Sequence, residues 1–331
     1  MQLRPLGSSG LLVSPVTLGT MTYGSPVAEA DAIRLTHFAL DNGINFVDTA
    51  NVYEGYTRFL GSPGGVAEEI VGKAIHDRRD QVVLATKVGA PVGPGPQDRG
   101  LSATHILREV DRSLQRLQTD YIDLYIIHWP DKYVPLEVTL NAMETAVRQG
   151  KIRAFGASNH AAWQMCEMLW LADKLNLPHV VSSQIPFSLL RREFHHDLKF
   201  CEKHNIAVTP YQPLQCGLLT GKYKRGTTPP ADSRAAEKPE WIWPQDDVLF
   251  DKLEAIEALA TSADIPMAQY ALAWTLTQPA IESVIVGVKT EAQIQDAIHA
   301  AAVNIPQEHL AQLNKICPPP WQQPDPMRGG M

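Results

Sequence analysis

Short runs of aliphatic and β-branched residues alternate along the chain with longer stretches whose apolar positions recur every three to four residues, the order expected of repeated parallel βαβ units. The pattern predicts strands over 16–20, 44–49, 82–87, 121–127, 152–157, 180–185, 206–211 and 282–287. It predicts helices over 29–41, 66–78, 103–117, 136–148, 161–175, 195–204, 267–277 and 291–301. Ser102 and Asn159 stand where helix N-caps are expected and Pro266 at a first helical position, while Gly43 and Gly150 stand where a left-handed residue closes a helix. Eight strands each followed by a helix point to an α/β chain forming a (β/α)8 TIM barrel rather than an open doubly wound sheet. Nothing marks a linker, so residues 1–331 read as one barrel domain.

Two segments depart from the repeat. QLRPLGSSGLL at 2–12 places a Gly-Ser-Ser-Gly turn between apolar residues, which reads as a β-hairpin ahead of the barrel. The stretch 217–246, after the seventh strand, is too long for a simple connection and is rich in Pro, Lys and polar residues, a candidate lid or a mobile surface insertion. The Pro-rich tail from about 317 is expected to run over the surface.

Composition narrows the class. A chain of 331 residues with 44% hydrophobic and 20% charged content is that of a globular protein, and no uncharged apolar stretch reaches the roughly 18 residues of a spanning helix. A net charge of −7 with no dense basic run argues against nucleic-acid binding. The four cysteines form no C-x-x-C pair, and the N-terminus lacks the basic start and apolar core of a signal peptide, so a cytoplasmic location with reduced thiols is expected.

In a barrel the C-terminal strand ends face the active-site mouth. Strand two ends in Asp48 with Tyr53 in the loop beyond it (DTANVY), strand three in Lys87 (ATK) and strand four in His128 (IIHWP). An Asp or Lys closing an apolar strand is costly unless paired, and the two would pair with each other. From the residues alone, a salt bridge plugging the barrel top with unrelated Tyr53 and His128 remains an alternative to a catalytic group. No metal site is indicated: His128 has no ligand partner nearby, and His195-His196 reads as a solvated helix start. GPGPQDRG at 93–100 opens no glycine-lined turn of the dinucleotide-binding kind and reads as an ordinary loop.

The segments GINFVDTANVY, ATK and DYIDLYIIHWP resemble the aldo-keto reductase superfamily, as do VTLGTM at 16–21, GKIRAFGASN at 150–159, TPYQPL at 209–214, LLTGKY at 218–223 and IVGVKTEAQI at 285–294. The resemblance covers nearly the whole chain and is nearest to the bacterial branch that also holds potassium-channel β-subunits. It implies a reductase that uses NADP(H) to convert a small aldehyde or ketone to an alcohol, with Tyr53 as general acid, Lys87 held by Asp48 and favouring the ionised phenol, and His128 orienting the carbonyl. By the same resemblance Ser158, Asn159 and Gln184 would bond the carboxamide and Tyr211 would stack on the nicotinamide. Gln212, Pro213, Leu214, Gly217 and Leu219, with Lys222 near by, would line the pyrophosphate. Gly287, Lys289, Thr290, Gln293 and Asp296 would meet the adenosine end, where a helix N-terminus favours phosphate. Gln293 stands where many relatives carry an arginine, so the implied preference for NADPH over NADH is moderate.

Substrate choice lies in loops that match no template, those carrying Met21, Tyr23, Tyr56, Phe59, Trp129 and 217–246; Tyr23 and Trp129 are expected to give the pocket an aromatic wall. The branch also sets a rival expectation, a nicotinamide-binding regulatory or redox-sensing subunit of the channel β-subunit type. The complete set of four catalytic positions, and a first strand only some 15 residues from the N-terminus, favour the enzyme. The pattern leaves substrate and oligomeric state open.

Overall fold

A computed structural model describes residues 1–322. Two short strands, β1 (Arg4–Pro5) and β2 (Leu12–Val13), pair antiparallel. Eight more follow: β3 (Val16–Gly19), β4 (Phe46–Asp48), β5 (Val83–Val88), β6 (Ile122–Ile127), β7 (Ile152–Ser158), β8 (Ser182–Gln184), β9 (Ala207–Val208) and β10 (Val284–Gly287). They form one all-parallel sheet in the order β10-β3-β4-β5-β6-β7-β8-β9. The two ends of that sheet approach each other. Val208 N–H donates to the Ala280 carbonyl at 2.7 Å and Ile285 N–H to that of Pro210 at 3.0 Å, so the sheet is curled, consistent with a (β/α)8 fold.

Helices follow the strands in turn: α1 (Glu29–Asp41), α2 (Val66–Ile75), α3 (Ala103–Leu117), α4 (Leu136–Arg148), α5 (Ala162–Leu175) and α6 (His195–Lys203). After β9 come the short α7 (Arg234–Glu237), then α8 (Asp247–Ser262) and α9 (Met267–Leu276), and after β10 come α10 (Glu291–Ala300) and α11 (Gln307–Ile316).

The period of two along each strand divides the apolar residues between two cores. Phe46, Ala85, Leu124, Ile126, Ala154 and Ala207 point into the barrel and pack with Leu6 and Val13 of the β1–β2 pair. Val47, Leu84, Tyr125, Ile127, Phe155 and Val208 point outward to the helices. Because both faces are covered, these strands read as continuous apolar runs. The inward register also decides the mouth: two residues beyond Phe46 is Asp48, two beyond Ala85 is Lys87, two beyond Ile126 is His128, and Ser158 lies four beyond Ala154.

Several local expectations need correction. The repeat did not anticipate α8 and α11, although Asp246 caps α8 by accepting from Leu249 N–H. Helix α2 stops at Ile75, where 76–81 tighten into 3-10 turns. Asn159 is no N-cap; α5 starts after Ala161, and Asn159 sits at φ +62° with its side chain engaged across the sheet. Pro266 precedes α9 rather than opening it. Ser102 does cap α3, and Gly43 and Gly150 are left-handed at φ +84° and +72°. The 217–246 stretch holds α7 and a 3-10 turn at Pro239–Trp241. His195 is not solvated: Phe187 and Trp321 flank its ring, and burial lowers its pKa to about 4. The tail beyond Gln322 lies outside the described residues.

Candidate functional site

The strand ends bring the side chains singled out in the sequence into one hydrogen-bonded network. Lys87, fully buried, donates from Nζ to Asp48 Oδ1 at 2.6 Å, the Thr49 carbonyl at 2.8 Å and the Tyr53 hydroxyl at 3.1 Å. Asp48 Oδ2 accepts from Gln184 Nε2 at 2.9 Å. The Gln184 carbonyl accepts from Ser158 Oγ at 2.8 Å, Asn159 Nδ2 donates to Ser158 Oγ and to the His128 carbonyl, each at 3.0 Å, and Tyr211 Oη donates to Asn159 Oδ1 at 2.8 Å. Rings of Tyr53 and His128 meet edge to face at 6.0 Å. Residues far apart in sequence are thus locked into one constellation by strand register.

Electrostatics gives each group a defined protonation state. Burial raises the Tyr53 phenol above its ordinary pKa of 10.0; the Lys87 charge opposes this and the Asp48 charge reinforces it. The expected lowering by Lys87 is therefore outweighed by desolvation, and the hydroxyl keeps its proton at neutral pH. Burial alone would lower the Lys87 ammonium, but Asp48 and Tyr53 together lift it above 10.5. His128 is driven well below 6.5 by burial and then by the charges of Lys87 and Arg58, so it is neutral. Its Nδ1 is buried and has no hydrogen-bond partner among the described residues.

The segment after β9 turns sharply, with positive φ at Gln212 (+57°), Gln215 (+45°), Cys216 (+55°) and Gly217 (+93°). The turn closes on itself: Gln215 N–H donates to the Gln212 carbonyl at 2.8 Å, and Gly217 and Leu219 N–H both donate to that of Leu214, at 2.9 and 3.2 Å. Leu219 and Pro213 are buried, whereas Leu214 and Gly217 are partly exposed. A Cβ at Gly217 would come within 3.0 Å of Lys222 Cε. Lys222 is exposed at the surface beside this turn, and its pKa is lowered by partial desolvation and less strongly by the neighbouring charges of Lys289 and Arg234.

At the far side of the mouth, Thr290 caps α10, accepting from Gln293 N–H, and Gln293 Oε1 accepts from Lys289 N–H at 2.7 Å. Gly287 is exposed, while Asp296 accepts from Gln269 on α9. Lys289 is already engaged: its Nζ donates to both Glu237 oxygens at 2.7 and 2.5 Å and to the Asp232 carbonyl at 2.8 Å. The segment carrying Glu237 also spans to the loop after Tyr53, where Trp241 meets Tyr56 edge to face at 5.6 Å and Arg234 stands 4.9 Å from the Tyr56 ring.

Tyr23 does not wall the mouth. It is fully buried under α1 with its hydroxyl 2.8 Å from Thr36 Oγ1, because the turn after β3 folds the ring into the outer core. Trp129 does stand at the rim, 51% exposed and stacked 6.0 Å from His128. Sequence reasoning missed Arg58, Arg234 and Glu237. Arg58 donates to the carbonyls of Val52 (3.0 Å) and Pro91 (2.6 Å) and to Ser62 Oγ (3.2 Å), fastening the long loop after Tyr53 to the segment after β5. Glu54 fastens the same loop through Ser62 and Gly64 N–H. A Glu and an Arg inside a Gly-rich loop with no helical or strand period were the available signal. Among the described residues no group of three or more His, Cys, Asp or Glu side chains is placed to hold a metal ion, and no helix is long and apolar enough to cross a membrane.

Residues 15–317 match the Aldo/keto reductase family. The chain belongs to that family. It is 38% identical over 328 residues to "Uncharacterized oxidoreductase YrpG" of Bacillus subtilis, covering 97% of each chain. It is 36% identical to the "Probable voltage-gated potassium channel subunit beta" of Arabidopsis thaliana, with 96% of this chain and 95% of that one covered. Against "Protein tas" of Escherichia coli it is 32% identical, over 96% and 97%. As an aldo/keto reductase the chain has a general oxidoreductase role.

Proposed function

We propose that the protein reduces the carbonyl of a small aldehyde or ketone with NADPH, Tyr53 acting as general acid. The observation that carries this reading is the Asp48–Lys87–Tyr53 contact, which sets a protonated phenol beside a buried ammonium. When bound, the cofactor supplies the hydride, which no side chain can. The Tyr53 hydroxyl donates its proton to the carbonyl oxygen, and the Lys87 ammonium stabilises the phenolate left behind. Neutral His128 holds the carbonyl for that transfer. Asp48 fixes Lys87, and Gln184 fixes Asp48. Turnover of simple aldehydes with NADPH tests the reading; its absence across aliphatic and aromatic carbonyls would favour the regulatory-subunit alternative suggested by the name of the Arabidopsis relative.

The residues present suit a dinucleotide. The amide-bearing Asn159 and Gln184 lie beside Tyr211 at the strand ends, the ammonium of Lys222 beside the turn 212–217 suits the pyrophosphate, and the capped start of α10 suits the adenosine end.

The protonation states set a pH profile. His128 charges only below 6.5 and Tyr53 ionises only above 10.0, so neither titrates between them. In the reductive direction kcat/KM is expected to stay flat over that interval, falling at high pH as the acid is lost and at low pH as His128 charges. A titration near neutrality in the pH–rate profile contradicts the assignment.

Cofactor choice turns on Glu237. Its carboxylate occupies the Lys289 ammonium assigned to the 2′-phosphate, so phosphate binding must displace or tolerate a like charge. Glu237→Gln is expected to tighten NADPH binding about tenfold, roughly 1.4 kcal/mol, and to leave NADH within about twofold. Lys289→Ala should weaken NADPH and spare NADH. Fluorescence-quenching titrations with both cofactors read these differences, and equal effects on the two contradict the role given to Lys289.

A further inference from the structure

We propose that the outer face of α5 is an interface between two copies of this chain, paired antiparallel about a two-fold axis beside Trp170. Trp163 and Trp170 lie seven residues apart on one helical face and are 69% and 58% exposed. Exposed tryptophans ranged along a helix form an apolar ridge of the kind that marks interaction sites, and tryptophan is the side chain most often found to dominate binding energy. Cys166, also exposed, extends the ridge.

The charges on that face select the occupant. Glu167 and Lys174 flank Trp170, and among the described residues neither forms an ion pair within the chain; Lys174 only lies 5.1 Å from the Trp170 ring. Asp173, by contrast, is satisfied by His179 at 2.8 Å. An axis between positions 170 and 171 sets Glu167 of one copy opposite Lys174 of the other, and the same pairing recurs by symmetry. A parallel arrangement would instead oppose Glu167 to Glu167. The two unpaired charges stand two helical turns, about 10 Å, apart, which matches the repeat at which flanking charges set partner orientation in paired helices. The face is thus self-complementary in the isologous sense that a two-fold dimer requires.

Sedimentation velocity on the full chain is expected to give twice the 36.5 kDa chain mass at micromolar concentration. Glu167→Lys and Lys174→Glu should each raise the dimer dissociation constant tenfold or more, because each makes both cross-pairs like-charged. Combining the two reversals should restore dimerisation. Trp170→Ala should dissociate the pair, and unchanged far-UV circular dichroism of every variant shows that the fold is intact. A monomeric wild-type chain at 100 µM overturns the proposal, as does an assembly indifferent to the single reversals or one not restored by the double reversal. A monomer whose tryptophan emission becomes more quenchable when residues 323–331 are removed overturns it also, and assigns the face to that segment instead.

Discussion

Replacing Tyr53 by Phe is expected to lower kcat for carbonyl reduction by about 10²-fold or more while leaving cofactor affinity nearly unchanged. The substitution deletes one oxygen. The ring keeps its edge-to-face contact with His128, and Lys87 keeps its bonds to Asp48 and the Thr49 carbonyl, so the surroundings have no reason to collapse. What disappears is the proton that the transition state needs and the oxygen whose developing charge Lys87 stabilises. A hundredfold loss is roughly 2.7 kcal/mol of transition-state stabilisation, an ordinary amount for a deleted general acid. Steady-state kinetics read the loss and fluorescence quenching by NADPH reads the cofactor affinity. Full turnover in the variant would remove Tyr53 from the mechanism.

Lys87→Met is expected to be at least as damaging to turnover and, unlike Tyr53→Phe, to cost stability. It removes three hydrogen bonds from the barrel mouth and leaves the buried Asp48 with Gln184 alone. Breaking one side of a buried ion pair costs about 3–5 kcal/mol, chiefly because the partner charge is stranded. Since the folded pKa of Lys87 is raised, its contribution is fully present below 10.5 and is lost only as pH rises through that higher value. Denaturation at pH 7 therefore measures it whole. The double variant Asp48→Asn, Lys87→Met separates the roles: relieving the stranded carboxylate should recover much of the stability, and turnover should stay lost. If activity returned with stability, the pair would be a structural plug and not a catalytic one.

The mouth was legible because a parallel strand has a period of two and an apolar majority. A polar residue at the end of such a strand needs a reason, and Asp48, Lys87 and His128 each stood out against an aliphatic run. Tyr53 was legible only through the motif around it, since nothing in a loop residue's local pattern says where its hydroxyl points. Asn159 shows the opposite failure: a good N-cap residue ahead of a helix was read locally, but the pull of Ser158, the His128 carbonyl and Tyr211 holds it in a left-handed conformation. Tyr23 fails likewise, because exposure is a property of the whole packing and not of the residue.

The sequence by itself determined the alternation of strands and helices and the inward register that delivers four polar groups to one end. These depend on near-neighbour periodicity, which the linear order contains. The tertiary structure alone decided that burial outweighs Lys87 at the Tyr53 hydroxyl, that Glu237 reaches across from an irregular insertion to occupy Lys289, and that α8 and α11 join the barrel. Each of these is a balance of desolvation or of contact between residues tens to hundreds of positions apart, and such a balance has no value until the chain has closed on itself.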